Sequence, residues 1–218
     1  MDIEGYIVEK LSGQSLPDFM RDNIFRPLGM KDAGFFVPED KRSRFSAVYT
    51  TGPNGELQLV GAGPSGRSTE YASQPTMPSG GGGMVSTAED YYRFAQMMLN
   101  GGELDGKRIL ALASVKLMTS NHVPAELLTG QFGIGQMVMR PGFGYGYNCA
   151  VEYNPQEANL PDGKGTFLWD GAAGTWFWVD PANDIVFVGM IQRMNGGTPN
   201  LQYLSRSIVY GALVDPAN

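Results

Sequence analysis

The residues from Thr166 to Ile191 restrict the fold more than any other stretch of the chain. Thr166-Phe167-Leu168-Trp169-Asp170 runs through Gly171-Ala172-Ala173-Gly174 to Thr175-Trp176-Phe177-Trp178-Val179, and Ile185-Val186-Phe187-Val188-Gly189-Met190-Ile191 follows after Asp180-Pro181-Ala182-Asn183-Asp184. β-Branched and aromatic runs favour extended backbone and the separator is turn chemistry, so the stretch predicts an antiparallel hairpin. All three tryptophans lie in the first run. The second run is almost continuously apolar, as in a strand covered on both faces, and predicts a central strand. Gly171-Ala172-Ala173-Gly174 leaves the backbone bare, so a ligand or another backbone can approach closely there.

Upstream, Ile3, Tyr6, Ile7 and Leu11 recur at helical spacing until Gly13. Ser15-Leu16-Pro17-Asp18 is a capping box that opens a helix with Phe19, Ile24 and Phe25 inward, closed by Pro27-Leu28-Gly29. Residues 30 to 78 carry Pro38, Pro53-Asn54-Gly55, Pro64-Ser65-Gly66 and Pro75 and read as a long meandering connection with room for one short hairpin. Gly80-Gly81-Gly82-Gly83 lacks the Gly-Lys-Ser/Thr of a phosphate loop and reads as a flexible or tightly packed turn. Ser86-Thr87-Ala88-Glu89-Asp90 caps a helix whose Tyr91, Phe94, Ala95, Met98 and Leu99 form the buried stripe. A helix from about Leu110 to Ser120 offers Leu112, Val115 and Met118 to the core, and His122 just beyond it suits capping of carbonyls better than catalysis. From Phe132 the period becomes extended: Phe132–Gly135, Phe143–Tyr153 and the hairpin predict three antiparallel strands. Leu201, Leu204, Ile208, Val209 and Leu213 predict a last amphipathic helix lying back across them.

The expected class is therefore α+β, an antiparallel sheet with flanking helices beside a helical lobe. Residues 1–130 would form the lobe with its long loops, and 131–218 the three-stranded sheet and last helix. A net charge of −6 with no Lys/Arg block gives no reason to expect nucleic acid or a membrane as partner. No apolar run reaches the roughly 18 residues of a membrane helix. Met1-Asp2-Ile3-Glu4 lacks the basic start of a signal peptide, so the chain as it stands is expected to be cytoplasmic, with its parent's compartment open. The lone Cys149 excludes a disulfide framework and a thiolate metal cluster, and nothing in the pattern calls for a metal or cofactor. It reads as a small buried thiol, the alternative being a nucleophile paired with His122, the only histidine.

Gly5-Tyr6-Ile7-Val8-Glu9-Lys10-Leu11-Ser12-Gly13-Gln14-Ser15, Ile24-Phe25-Arg26-Pro27-Leu28-Gly29-Met30 and Gly82-Gly83-Met84-Val85-Ser86-Thr87-Ala88-Glu89-Asp90 resemble the serine β-lactamase superfamily. Trp169-Asp170-Gly171-Ala172-Ala173-Gly174-Thr175 with Asp180-Pro181 completes the pattern across essentially the whole chain. The likeness is greatest to class C β-lactamases, DD-peptidases (penicillin-binding proteins) and the carboxylesterases of that fold. It implies an α/β sandwich beside a helical lobe, with the active site between. It also implies acyl transfer through the serine of Ser-x-x-Lys, aided by a tyrosine motif and by a third motif, Lys-Thr-Gly or its esterase variants, on the strand lining the site. Lysine and tyrosine take the serine proton, and backbone N–H groups stabilise the oxyanion.

Only the third motif is present. No serine or threonine has lysine three residues on, no tyrosine has asparagine two residues on, and no Gly-x-Ser-x-Gly elbow occurs. The resemblance thus implies the C-terminal portion of such a protein, beginning just after its tyrosine motif. It assigns Ala172 as backbone N–H donor to the oxyanion, Trp169 as a wall of the acyl pocket, and Asp170, Gly171 and Ala173 as substrate-lining residues. Trp169 in place of lysine resembles the esterases, and a carboxylate at Asp170 would repel an anionic β-lactam and must be hydrated or paired. A small ester or amide is the expected substrate of the parent. Three readings stay open: part of an esterase-like hydrolase, a non-catalytic binding or scaffold module, and one half of a split enzyme. The alternative for Trp169–Ala173 is aromatic core with small residues for packing. Sheet strands belonging to a missing half would leave an edge uncovered, so association with that half or with another copy is expected.

Overall fold

The computed structural model describes residues 1–60, 71–127, 140–194 and 201–215. Helix α1 (Asp2–Ser12) stops at Gly13, in the left-handed region, as its spacing predicts. Ser15 then caps α2 (Leu16–Met20) by accepting from the Asp18 amide, and a π-helical turn, Arg21–Phe25, carries the chain into α3 (Arg26–Leu28). The predicted hairpin within the long connection is β1 (Val48–Thr51) and β2 (Leu57–Val60), turning at Gly55. Thr87 Oγ1 accepts from the Asp90 amide at the start of α4 (Ala88–Leu99). A two-strand ribbon of β3 (Glu103–Leu104) and β4 (Lys107–Arg108) leads to α5 (Leu112–Met118). Of the core residues expected on α5, Val115 is buried, whereas Leu112 is exposed and lies over Gly101.

Next come β5 (Phe143–Tyr145), β6 (Ala150–Glu152), the short α6 (Pro155–Ala158), β7 (Phe167–Asp170), β8 (Trp176–Asp180), β9 (Ile185–Gly189), β10 (Arg193–Met194) and α7 (Leu201–Gly211). The chain divides into two compact units. One comprises Met1–Phe94, Ala172–Gly174 and Met190–Gly197; the other comprises Ala95–Gly171, Thr175–Gly189 and Thr198–Asn218. In the first, Leu16, Phe25, Leu28, Met30, Phe35 and Val37 are buried, and β1 pairs antiparallel with β2 and parallel with β10. Gly80 packs so closely on the start of α1 that a Cβ would lie 2.8 Å from the Met1 carbonyl oxygen. The glycine run is a packed turn here.

In the second unit the antiparallel sheet runs β5-β6-β7-β8-β9, five strands instead of three. The Phe143–Tyr153 stretch is two strands, because Asn148 takes a left-handed φ of 60° and the Gly146 amide donates to the Cys149 carbonyl to close a turn. The expected strand Phe132–Gly135 lies outside the described residues. The second expectation to change is the central strand, since β9 is the last strand of the order among the described residues. A continuous apolar run reports coverage of the two faces of a strand, not hydrogen bonding along both of its edges. One face is covered by stacking: Phe187 lies parallel to Trp178 with ring centroids 4.0 Å apart.

Helix α7 departs from its apolar pattern: Leu201 and Val209 are half-buried, but the deepest positions are not the apolar ones. Its buried residues are Arg206 and Tyr210, while Leu204 and Ile208 are 48% and 72% exposed. The cause is beneath the helix. Glu152 and Asp162 are buried, and Arg206 Nη1 stands 2.6 Å from the Asp162 carboxylate and 3.8 Å from that of Glu152. Tyr210 donates to buried Asp180 at 2.7 Å. Buried carboxylates require such partners, and that requirement decides which face of the helix turns inward.

Candidate active site

Strand β7 places Trp169 and Asp170 at the end of its pairing with β8, where Trp169 lies opposite Phe177 and Asp170 opposite Trp176. Alternation along a strand sends consecutive side chains to opposite faces, so Trp169 and Asp170 meet different surroundings. Trp169 is half-buried and meets the ring of Tyr145 edge-on, centroids 5.7 Å apart. Tyr145 is itself held from below α5: its amide donates to Asn121 Oδ1 at 3.0 Å, and its carbonyl accepts from the His122 amide at 2.9 Å. Trp169, expected as a wall of the acyl pocket, is one half of an aromatic pair. Tyr145 and the residues that hold it were missed by sequence reasoning, because their only signal is cross-strand placement.

Asp170 is exposed, and its Oδ2 accepts from Gln202 Nε2 at 3.0 Å. The carboxylate is therefore open to solvent and hydrogen-bonded. Gln202 is the other residue that sequence reasoning missed. The Gly171 amide donates to the Thr175 carbonyl at 2.8 Å and closes the base of the turn. At the tip, in the first unit, the Ala173 carbonyl accepts from the Arg193 amide at 2.7 Å. Gly174 adopts a φ of 87° with Ile191 packed so closely that a Cβ would come within 2.7 Å of it. Ala172 is exposed, and its backbone N–H has no hydrogen-bond partner among the described residues.

The Ala172 N–H is thus a hydrogen-bond donor without a partner among the described residues. No hydroxyl of the described residues with a lysine or histidine as proton acceptor accompanies it. His122 Nε2 lies 2.7 Å from the Leu117 carbonyl oxygen, and its ring stacks on Tyr147. The Cys149 thiol is directed at the Met118 carbonyl, and burial pushes its pKa up to about 11, which makes it unreactive at neutral pH. Ser79 donates across the chain to the Asp2 carboxylate at the start of α1, and Ser86 donates locally to the Thr87 carbonyl. Among the described residues no group of three His, Cys, Asp or Glu side chains is placed to hold a metal ion, and no helix is long and apolar enough to cross a membrane.

Comparison with known proteins places this geometry in context. The family model described as Beta-lactamase matches residues 1–207. Protein Rv1367c of Mycobacterium tuberculosis is 32% identical over 201 residues, which cover 88% of this chain and 47% of that protein. Esterase EstB of Burkholderia gladioli is 30% identical, with 84% of this chain and 45% of the esterase covered. Among solved structures, simvastatin synthase (LovD) from Aspergillus terreus superposes with a TM-score of 0.81 at 17% identity, over 98% of this chain and 55% of that one. The chain spans about half the length of the curated relatives it matches.

Proposed function

The chain belongs to the Beta-lactamase family, and from that premise we propose that it carries the oxyanion side of an esterase-type acyl-transfer site whose serine nucleophile and tyrosine lie outside these 218 residues. The unpaired Ala172 N–H on its anchored turn is the observation that carries this reading. Attack on an ester carbonyl moves negative charge onto oxygen, and a preset N–H stabilises that charge without reorganising. Trp169 and Tyr145 supply an apolar wall for the acyl group. Trp169 in place of a lysine, and the carboxylate of Asp170 in place of a glycine or threonine, disfavour a substrate carboxylate at the turn. Ester hydrolysis is therefore favoured over β-lactam hydrolysis, and the name of Esterase EstB agrees with that preference.

The absence of Ser-x-x-Lys separates this chain from an autonomous enzyme, since that mechanism loses nearly all its rate without its nucleophile. Of the two further readings, half of a split enzyme is favoured over a scaffold module. Among the described residues β9 ends the five-stranded order with no strand beyond it, and Leu204 and Ile208 of α7 are exposed, an edge and an apolar stripe that another polypeptide would cover. Supplying the upstream half of a relative, with its Ser-x-x-Lys, tests this directly. Hydrolysis of p-nitrophenyl butyrate should appear and exceed that of nitrocefin. Ala172→Pro, which removes the N–H, should lower the restored rate by about 10²–10³. A restored rate unaffected by Ala172→Pro would rule out the assigned donor.

A further inference from the structure

The first unit contains a cavity of about 240 Å³ that is lined neither by Ala172 nor by Ala173 of the same unit. Its floor is apolar, with Phe25, Phe35 and Val37 all buried. Its rim has the opposite character. Arg21, Lys31, Lys41 and Arg44 line it against only Asp18 and Asp32, an excess of two positive charges in a chain whose total is −6. Both rim acids are already committed: Asp32 lies 2.7 Å from Lys41 Nζ and 2.8 Å from Arg44 Nη2, and Asp18 pairs with Arg21. The Lys31 ammonium has no hydrogen-bond or ion-pair partner among the described residues.

The walls are preformed. Buried Asp90 accepts from the amides of Lys31 and Asp32 at 3.1 and 2.6 Å, which fixes that stretch of rim. Gly34 and Val85 exchange backbone hydrogen bonds of 3.0 and 2.8 Å behind it. Size narrows the occupant, since an apolar cavity of about 150 Å³ accommodates benzene. The volume here admits one ring or a short acyl chain together with a single head group. An apolar floor with few convergent polar groups is the usual make-up of a small-molecule site.

We propose that this cavity binds a small organic carboxylate, its ring or short chain on Phe25 and Phe35 and its carboxylate at Lys31 beside the Lys41–Asp32–Arg44 cluster. The proposal does not depend on the acyl-transfer reading. Calorimetric titration of the full chain with phenylacetate, 2-phenylethanol and acetate separates the contributions of charge and apolar body. Phenylacetate should bind at least about tenfold more tightly than either partial analogue, the ratio expected of one charge-assisted contact, and should weaken with added salt. Lys31→Ala should weaken phenylacetate about five- to tenfold while leaving 2-phenylethanol unchanged. Ala33→Leu, which fills the cavity, should weaken both, with circular dichroism melting used to verify that each variant is folded. Equal affinity for the acid and the alcohol, no saturable phenylacetate binding by the folded chain, or affinities unmoved by both substitutions would each overturn the proposal.

Discussion

The β7–β8 hairpin has one open end and one sealed end, each marked by an aspartate. At the open end Asp170 is exposed and accepts one side-chain hydrogen bond, from Gln202. At the sealed end Asp180 is fully buried and accepts from the amides of Gly163, Ala182 and Asn183, the Asn183 side chain and the Tyr210 hydroxyl. Burial pushes the Asp180 carboxyl up, but those hydrogen bonds outweigh it and hold the group below the ordinary carboxylate range. One residue type thus serves two purposes on one hairpin. The sealed end fixes α7 and the turn after β8; the open end leaves the Asp170 carboxylate and Ala172 exposed.

The largest effect should come from emptying the sealed end. Asp180→Ala strands a buried tyrosine hydroxyl and several amides and should cost about 3–5 kcal/mol in chemical denaturation. A loss under about 1 kcal/mol would show that the web is not what holds α7.

An intermediate effect lies in the pH dependence. Burial, together with neighbouring Asp162, pushes the Glu152 carboxyl up to about 8, against the pull of Arg206. Its folded pKa exceeds its ordinary value of 4.5, so the folded state binds more protons than the unfolded chain between those limits. Stability should be greatest below that window and fall as pH rises through it, by at most about 1.4 kcal/mol per pH unit. Denaturation midpoints taken across the window should decline in the parent chain and decline less steeply in Glu152→Gln, where the Asp162 carboxyl, also pushed up by burial, remains. The smallest effect belongs to the open end: Asp170→Asn should change stability by less than about 0.5 kcal/mol. A cost similar to that of Asp180→Ala would erase the distinction between the two ends.

Local signals identified the elements whose causes are local. Gly13, Ser15 and Thr87 mark helix boundaries that hydrogen bonds within a few residues explain, and Pro53-Asn54-Gly55 marks its own turn. The hairpin was legible for the same reason. What escaped depends on partners distant in sequence. The inward face of α7 is dictated by Glu152 and Asp162, and the rank of β9 by strand order, neither of which an apolar period encodes. At the candidate site, Trp169 through Ala173 were visible as a motif. Tyr145 and Gln202 were not, since one arrives through pairing of β5 into the sheet and the other from the start of α7.

The central claim is that this chain contributes the lining and oxyanion donor of an acyl-transfer site while the attacking hydroxyl comes from elsewhere. Intact-mass spectrometry of the isolated chain after treatment with a fluorophosphonate tests it most directly. The account predicts no serine adduct and no hydrolysis of p-nitrophenyl butyrate above background. A stoichiometric adduct on one serine of this chain, with hydrolysis abolished by changing that serine to alanine, would contradict it.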